Sequence, residues 1–314
     1  MTSPYHVPAG RQRLSPQIYR RRRIAVVVAL VVLSFGAFRL VSAVLGDTAS
    51  TKAQTPTPST NLIESDGSTP VTAISTTSTS APPKEPVAPT AATPATLLIA
   101  GDSEAGTFGP YLETLMNQTG VVVTKLDYKV SSGLARPDFF DWPSHFTQLL
   151  PTVNPDIVVV TFGGNDAQGL AVVSGKFIEQ QPTGEVGADV SWRAEYGRRV
   201  GAAMDQLADG SRTVIWVGIP NDDSPEVTAR MRVQDEVVRA EAAKRPEIVF
   251  IDTWARFSGI SGGWAQFVVD PRDGVGKDVR ADDGFHLNTA GAEILALDIA
   301  EAIRSDLVKR GATL

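Results

Sequence analysis

The sequence predicts an α/β domain built on a parallel sheet covered on both faces, and three observations carry that prediction. Apolar runs of strand length, of which 156–162 is the clearest, show no polar alternation and so present no side to water. Between them lie segments with helical spacing, such as 192–208 and 225–244. Short polar strings containing glycine follow two of the runs, at the edge where such sheets bind ligands.

The elements are read in order. Residues 1–46 contain seven arginines and no acidic residue. Arg20 to Arg23 precede a run from Ile24 to Phe38 that is apolar but for Ser34, and after Arg39 the apolar character continues from Leu40 to Leu45. Counted through Arg39, the stretch is long enough to cross a hydrocarbon core of ~30 Å. The basic flank predicts a cytoplasmic tail at 1–23, a signal-anchor at 24–46 and export of everything after it. A cleaved signal peptide ending near Val41-Ser42-Ala43 is the alternative, and it exports the same residues. Residues 47–95 are dominated by Thr, Ser, Pro and Ala, as in Thr55-Pro-Thr-Pro-Ser-Thr60. They hold too little apolar surface to offset ordering entropy, which predicts a disordered linker.

Residues 96–314 suit one domain. Thr96–Ala100 reads as a strand and Phe108–Gln118 as a helix. Val121–Tyr128 and Asp156–Phe162 read as strands. Trp192–Ala208 has the spacing of an amphipathic helix. Thr213–Ile219 is a further strand, Pro225–Lys244 a helix and Ile248–Trp254 a strand. Thr289–Arg310 closes the domain as a long helix.

The net charge of −6 hides a division, because the 20 basic and 31 acidic residues of 96–314 leave that part at −11. An acidic domain argues against nucleic acid as the main partner. The chain has no cysteine, so no disulfide forms. There are no paired histidines, no phosphate loop and no dinucleotide fingerprint, so neither a metal nor a cofactor is expected.

Three strings carry the chemistry. In Gly101-Asp102-Ser103 the serine stands beyond a strand and close to a helix N-terminus, whose dipole favours developing negative charge. In Gly163-Gly164-Asn165-Asp166 the glycines let the backbone approach a ligand, and the Asn165 amide can donate to an oxyanion. In Asp283-Gly284-Phe285-His286 the spacing puts the carboxylate and the imidazole on one side of a turn. Asp283 can then hold one ring N–H while the other nitrogen faces Ser103. Of three histidines, His6 precedes the apolar run, and His145 has Trp142 rather than an acid three residues earlier. Each string alone has a plainer reading, as a helix cap, a turn or a polar loop. Together they supply a nucleophile, an oxyanion donor and an oriented acid/base, the parts needed for acyl transfer from an ester. A second serine pattern, Gly259-Ile-Ser261-Gly-Gly263, lacks the flanking strand and helix that a nucleophile elbow needs.

On these residues the domain resembles the SGNH branch of the GDSL hydrolases, serine esterases and acyltransferases. The resemblance runs in order over roughly 96–300. It implies a three-layer, flavodoxin-like fold, with Ser103 as nucleophile, His286 as base then acid and Asp283 as orienter. It also implies an oxyanion hole made by the Ser103 and Gly133 backbone amides and the Asn165 side chain. The family's Gly-Asp-Ser-Leu/Ile reads Gly-Asp-Ser-Glu here, which places the charge of Glu104 beside the nucleophile. The stretch 131–142 is also similar to that of an uncharacterised, membrane-anchored bacterial branch. Arg136, Asp138, Trp142, Asp166 and Gln168 lie near the motifs in sequence and are candidates for binding a polar acylated substrate. Trp142, Trp254 and Trp264 are candidates for stacking on sugar rings, with salt bridges and core packing as the plainer readings. The expected function is an exported, membrane-tethered serine esterase or O-acyltransferase acting on acylated cell-envelope carbohydrate. A tethered wall-binding or assembly domain without turnover is the alternative.

Overall fold

The apolar runs assemble into a single five-stranded parallel sheet. A computed structural model describes residues 87–210 and 212–314. The predicted anchor and most of the predicted linker lie outside them. Among the described residues no helix is long and apolar enough to cross a membrane. In chain order the elements are β1 (Ala95–Gly101), α1 (Ser103–Asn117), β2 (Val122–Tyr128), α2 (Trp142–Val153) and β3 (Ile157–Thr161). A 3₁₀ turn (Gly164–Asp166), the hairpin β4 (Leu170–Ala171) and β5 (Phe177–Glu179), α3 (Val190–Ala208) and β6 (Thr213–Val217) follow. Then come α4 (Pro225–Ala243), β7 (Ile248–Ile251), α5 (Thr253–Arg256), the hairpin β8 (Phe267–Val269) and β9 (Gly276–Asp278), and α6 (Thr289–Lys309).

The sheet order is β2-β1-β3-β6-β7 and every pairing within it is parallel. This is the flavodoxin-like order, whose switch point lies between β1 and β3. The loops after β1, β2 and β3 therefore meet at one edge. Alternate residues of each strand enter opposite layers. Leu97 and Ile99 join Phe108, Leu112 and Met116 of α1 and Ile294, Leu295, Ile299 and Ile303 of α6. Leu98 and Ala100 join Trp142 and Phe146 of α2, Tyr196, Val200 and Met204 of α3, and Val233 and Val237 of α4. Side chains of this size stabilise the fold by ~1.5–3 kcal/mol each when fully buried.

Two expectations are corrected here. The helix expected at 108–118 begins five residues earlier, at Ser103. Gly106 and Gly109 let α1 lie close on β2, since a Cβ at Gly106 would strike the ring of Tyr128 and one at Gly109 the side chain of Leu126. The strand expected at 248–254 ends at Ile251, because Asp252 caps a short helix there by accepting from the Ala255 amide at 2.8 Å. The segment around His145, to which the sequence reading assigned no element, forms α2. Asp141 caps it and Pro143 occupies its first turn, where a missing N–H costs nothing.

Candidate active site

The serine is positioned by the end of β1. Gly101 has φ +143°, and a Cβ there would fall on the carbonyl oxygen of Thr161 in the neighbouring strand, so only glycine allows the chain to leave the sheet this way. Asp102 then caps α1, one carboxylate oxygen accepting from the Glu104 amide at 3.0 Å. Ser103 is thereby the first helical residue, and its own amide has no acceptor within the helix.

His286 reaches this serine from the segment before α6. Its Nε2 lies 2.8 Å from Ser103 Oγ, and its Nδ1 lies 2.6 Å from Asp283 Oδ2. With Nδ1–H donated to the carboxylate, Nε2 accepts from the serine hydroxyl. The three-residue spacing works as expected because Asp283 also accepts from the amides of Phe285 and His286, at 3.1 and 3.0 Å, closing a turn with Gly284 at φ +87°. Burial opposes the charge on His286, but Glu104, Asp283 and Asp102 together hold its pKa above the usual imidazole value. Burial likewise opposes ionisation of Asp283, and the hydrogen bonds from His286 and the turn amides outweigh it, keeping the carboxyl below its ordinary range.

The turn is held from behind. Arg280, 5% exposed, donates to the carbonyls of Asn221, Phe257, Ala265 and Phe285 and to Asn221 Oδ1, at 2.8–3.2 Å. Burial lowers its pKa to about 10, so it stays charged at neutral pH. Trp264 donates its indole N–H to the Gly284 carbonyl at 2.8 Å and lies against the Arg280 guanidinium. Apart from the Arg280 bond to the Phe285 carbonyl, these contacts are not visible in local spacing, because each joins residues 15 or more positions apart.

The other two blocks are joined to the serine through carboxylates. The second oxygen of Asp102 accepts from the Gly163 amide at 2.6 Å and from Asn165 Nδ2 at 3.1 Å. Asn165 thus spends one amide hydrogen on Asp102 and keeps a second. Burial pushes the Asp102 pKa up to about 6 against these hydrogen bonds, leaving it ionised at neutral pH. The Gly133 amide makes no hydrogen bond among the described residues, while the next two amides, Leu134 and Ala135, both donate to Asp166 at 2.9 and 2.8 Å. A Cβ on Gly133 would fall on Asp166 Oδ1.

Three of the five expected substrate contacts serve the scaffold, and the other two are paired with each other. Asp166 is fully buried and clamps the Gly133 loop, also accepting from Tyr196 Oη at 2.8 Å. Trp142 is fully buried and donates to Ser132 Oγ at 2.9 Å. Arg136 and Asp138 close a bidentate pair with each other at 2.7 and 2.8 Å. Gln168 donates to the Asn165 carbonyl and accepts from the Trp192 indole at 2.8 Å. The sugar-stacking expectation is corrected in the same way, since Trp254 is buried beneath Arg232 and Trp264 supports the His286 turn. His145, rather than lacking an acid, meets Asp127 of β2 at 3.3 Å. The Gly259–Gly263 pattern forms a turn closed by the Gly259 amide on the Gly263 carbonyl.

The charge expected from Glu104 is also corrected. The side chain is buried, and desolvation pushes its pKa up to about 8, so at neutral pH it is held protonated. Among the described residues no group of His, Cys, Asp and Glu could hold a metal ion.

A flavodoxin-like sheet with a serine after its first strand, an asparagine after its third and an Asp-x-x-His turn before its last helix is the arrangement that the resemblance to the SGNH hydrolases implied. More narrowly, the chain belongs to the family described as a protein of unknown function, DUF459, whose model matches residues 96–302. No curated protein matches it. Among solved structures it is similar to a catalytic mutant of an acetylxylan esterase from Geobacillus stearothermophilus, with 15% identity over 67% of this chain and 94% of that one and a TM-score of 0.47. A member of the lipolytic G-D-S-L family from Veillonella parvula matches at 15% identity over 67% and 98%, with a TM-score of 0.45. A GDSL-like lipase from Bacteroides thetaiotaomicron matches at 15% identity over 67% and 88%, with a TM-score of 0.43.

Proposed function

We propose that this chain is an exported, membrane-tethered serine esterase or O-acyltransferase acting on acylated, chiefly acetylated, carbohydrate of the bacterial cell envelope. The observation that carries the catalytic part is the unbroken chain Ser103 Oγ–His286 Nε2 and His286 Nδ1–Asp283 Oδ2, at 2.8 and 2.6 Å across 183 residues of sequence. In the proposed reaction Ser103 Oγ attacks the acyl carbonyl as its proton passes to His286 Nε2. Asp283 stabilises the imidazolium that results. The oxyanion is received by the Ser103 and Gly133 amides and the remaining Asn165 N–H, each donor contributing ~3–4 kcal/mol. His286 then protonates the leaving alcohol. Water releases the acyl group in a hydrolase, and a sugar hydroxyl accepts it in a transferase. The location is supported by the basic apolar N-terminus and the Ser/Thr/Pro-rich segment after it, and the carbohydrate follows from that location and from the family resemblance. The non-enzymatic alternative drew on a negative charge at Glu104, and burial removes that charge at neutral pH.

The test is a serine-directed fluorophosphonate probe on the full-length protein. Labelling should map to Ser103, and Ser103→Ala should abolish it and lower hydrolysis of an activated acetyl ester by ~10³-fold or more. Equal turnover by both proteins would overturn the assignment.

A further inference from the structure

The carboxyl of Glu104 is a buried titratable group that this reaction does not use. It follows Ser103 directly on α1 and is 2% exposed. Gly163 leaves room for it, since even a Cβ there would come within 3.1 Å of Glu104 Cγ. Neither Oε1 nor Oε2 has a hydrogen-bond partner among the described residues, so the side chain contributes no hydrogen bond to the scaffold they form. Oε1 stands instead 3.9 Å from His286 Nε2, the ring nitrogen that faces the serine. The other charged groups acting on it are Asp102 from the turn before α1, and Arg280 and Asp283 from the segment between β9 and α6. Arg280 is already engaged by four carbonyls and Asn221, and Asp102 by two amides and Asn165.

We propose that Glu104 is a positioning residue for the acid/base: its protonation is coupled to that of the His286 imidazole from the serine side, so the two titrate as a pair. The consequence for rate rests on the hydrolase reading above; the coupling rests on the geometry alone. At this separation, with the Glu104 side chain buried and the His286 ring only partly exposed, the charge of one group is felt by the other. While Glu104 holds its proton, His286 is free to be neutral and to accept from Ser103. Once Glu104 ionises, it favours the imidazolium and holds the proton on Nε2, the proton that must pass to the leaving alcohol. The position four residues into the Gly-Asp-Ser-Glu string thereby becomes part of the acid/base rather than a charge set against the nucleophile.

The experiment follows the His286 ring resonances of the full-length protein by NMR across pH, in wild type and in Glu104→Gln, which keeps the shape and removes the titration. Wild type should show two inflections, the upper near pH 8, and Glu104→Gln a single one, lower by about a pH unit or more. A single wild-type inflection that superimposes on that of the variant overturns the proposal. If Glu104→Gln does not fold, the wild-type curve decides alone, two inflections supporting the coupling and one overturning it. The kcat/KM profile for an activated acetyl ester should carry the same upper inflection in wild type and lose it in the variant. Absent turnover together with absent labelling of Ser103 would sink the hydrolase reading while two ring inflections would still stand for the coupling.

Discussion

His286 is a base only when neutral, so the groups that raise its pKa set the acid limit of the proposed reaction. Burial opposes the imidazolium, Asp283 and Asp102 favour it, and Glu104 adds to them once it ionises. The net shift is upward, so kcat/KM should fall as pH drops through a value above the usual imidazole range. Replacing Asp283 by Asn removes the closest of these anions. The acid limb should then move to lower pH, since the imidazole loses a reason to stay protonated. The plateau should also drop by roughly 10²–10⁴-fold, because Nδ1–H is no longer held and the tautomer that presents Nε2 to Ser103 is no longer enforced. A pH–rate profile of Asp283→Asn checks both, and an unmoved limb would remove Asp283 from the role. The Asp–His pairing was legible in the sequence because it is local, three residues within one turn. The state of Glu104 was not legible, since its protonation depends on burial beneath a loop 60 positions away.

At the level of elements, the candidate site is three loops at the sheet edge braced by two carboxylates. Asp102 ties the start of α1 to the turn after β3, and Asp166 in that turn ties it to the loop after β2. Residues that lay near the motifs in sequence were read as substrate contacts for that reason, yet Asp166, Trp142 and Gln168 are spent on bracing. Proximity in sequence to a motif does not distinguish a group facing the cleft from one facing the sheet. Gly133→Ala tests the brace. The added methyl would occupy the position of Asp166 Oδ1. Asp166 would have to withdraw from the Leu134 and Ala135 amides or from Tyr196, leaving buried donors unpaired at ~1–3 kcal/mol each. The variant should therefore melt at lower temperature, and kcat should fall by about tenfold or more as the oxyanion loop shifts. Thermal unfolding and turnover measured together check this, and a variant unchanged in both would show that the loop has space to spare.

For the whole molecule, the fold class was legible because the runs at β1, β3 and β6 are apolar almost throughout, as strands buried on both faces of a parallel sheet are, while β2 and β7 at the edges stay partly exposed. α2 was not legible, because Trp142-Pro143 reads as a turn until Asp141 is seen to cap it, and both small hairpins are too short to carry a period. The same chain joins a basic N-terminal stretch to a domain whose net charge is −11. An acidic domain gains nothing from an anionic membrane surface, which favours a tether that holds it away, as 47–95 is proposed to do. If that arrangement holds, protease added to intact bacterial cells should cut within 47–95, where Thr, Ser and Pro offer no packed core to protect the backbone. A fragment carrying the Ser103 probe label should appear in the medium, while the arginine-rich end stays with the membrane fraction. Detergent lysis before proteolysis should yield the same fragment without changing its size. Protection in intact cells with cleavage only after lysis would place the domain on the other side of the membrane, and would overturn the proposed export while leaving the Ser103–His286–Asp283 geometry as it stands.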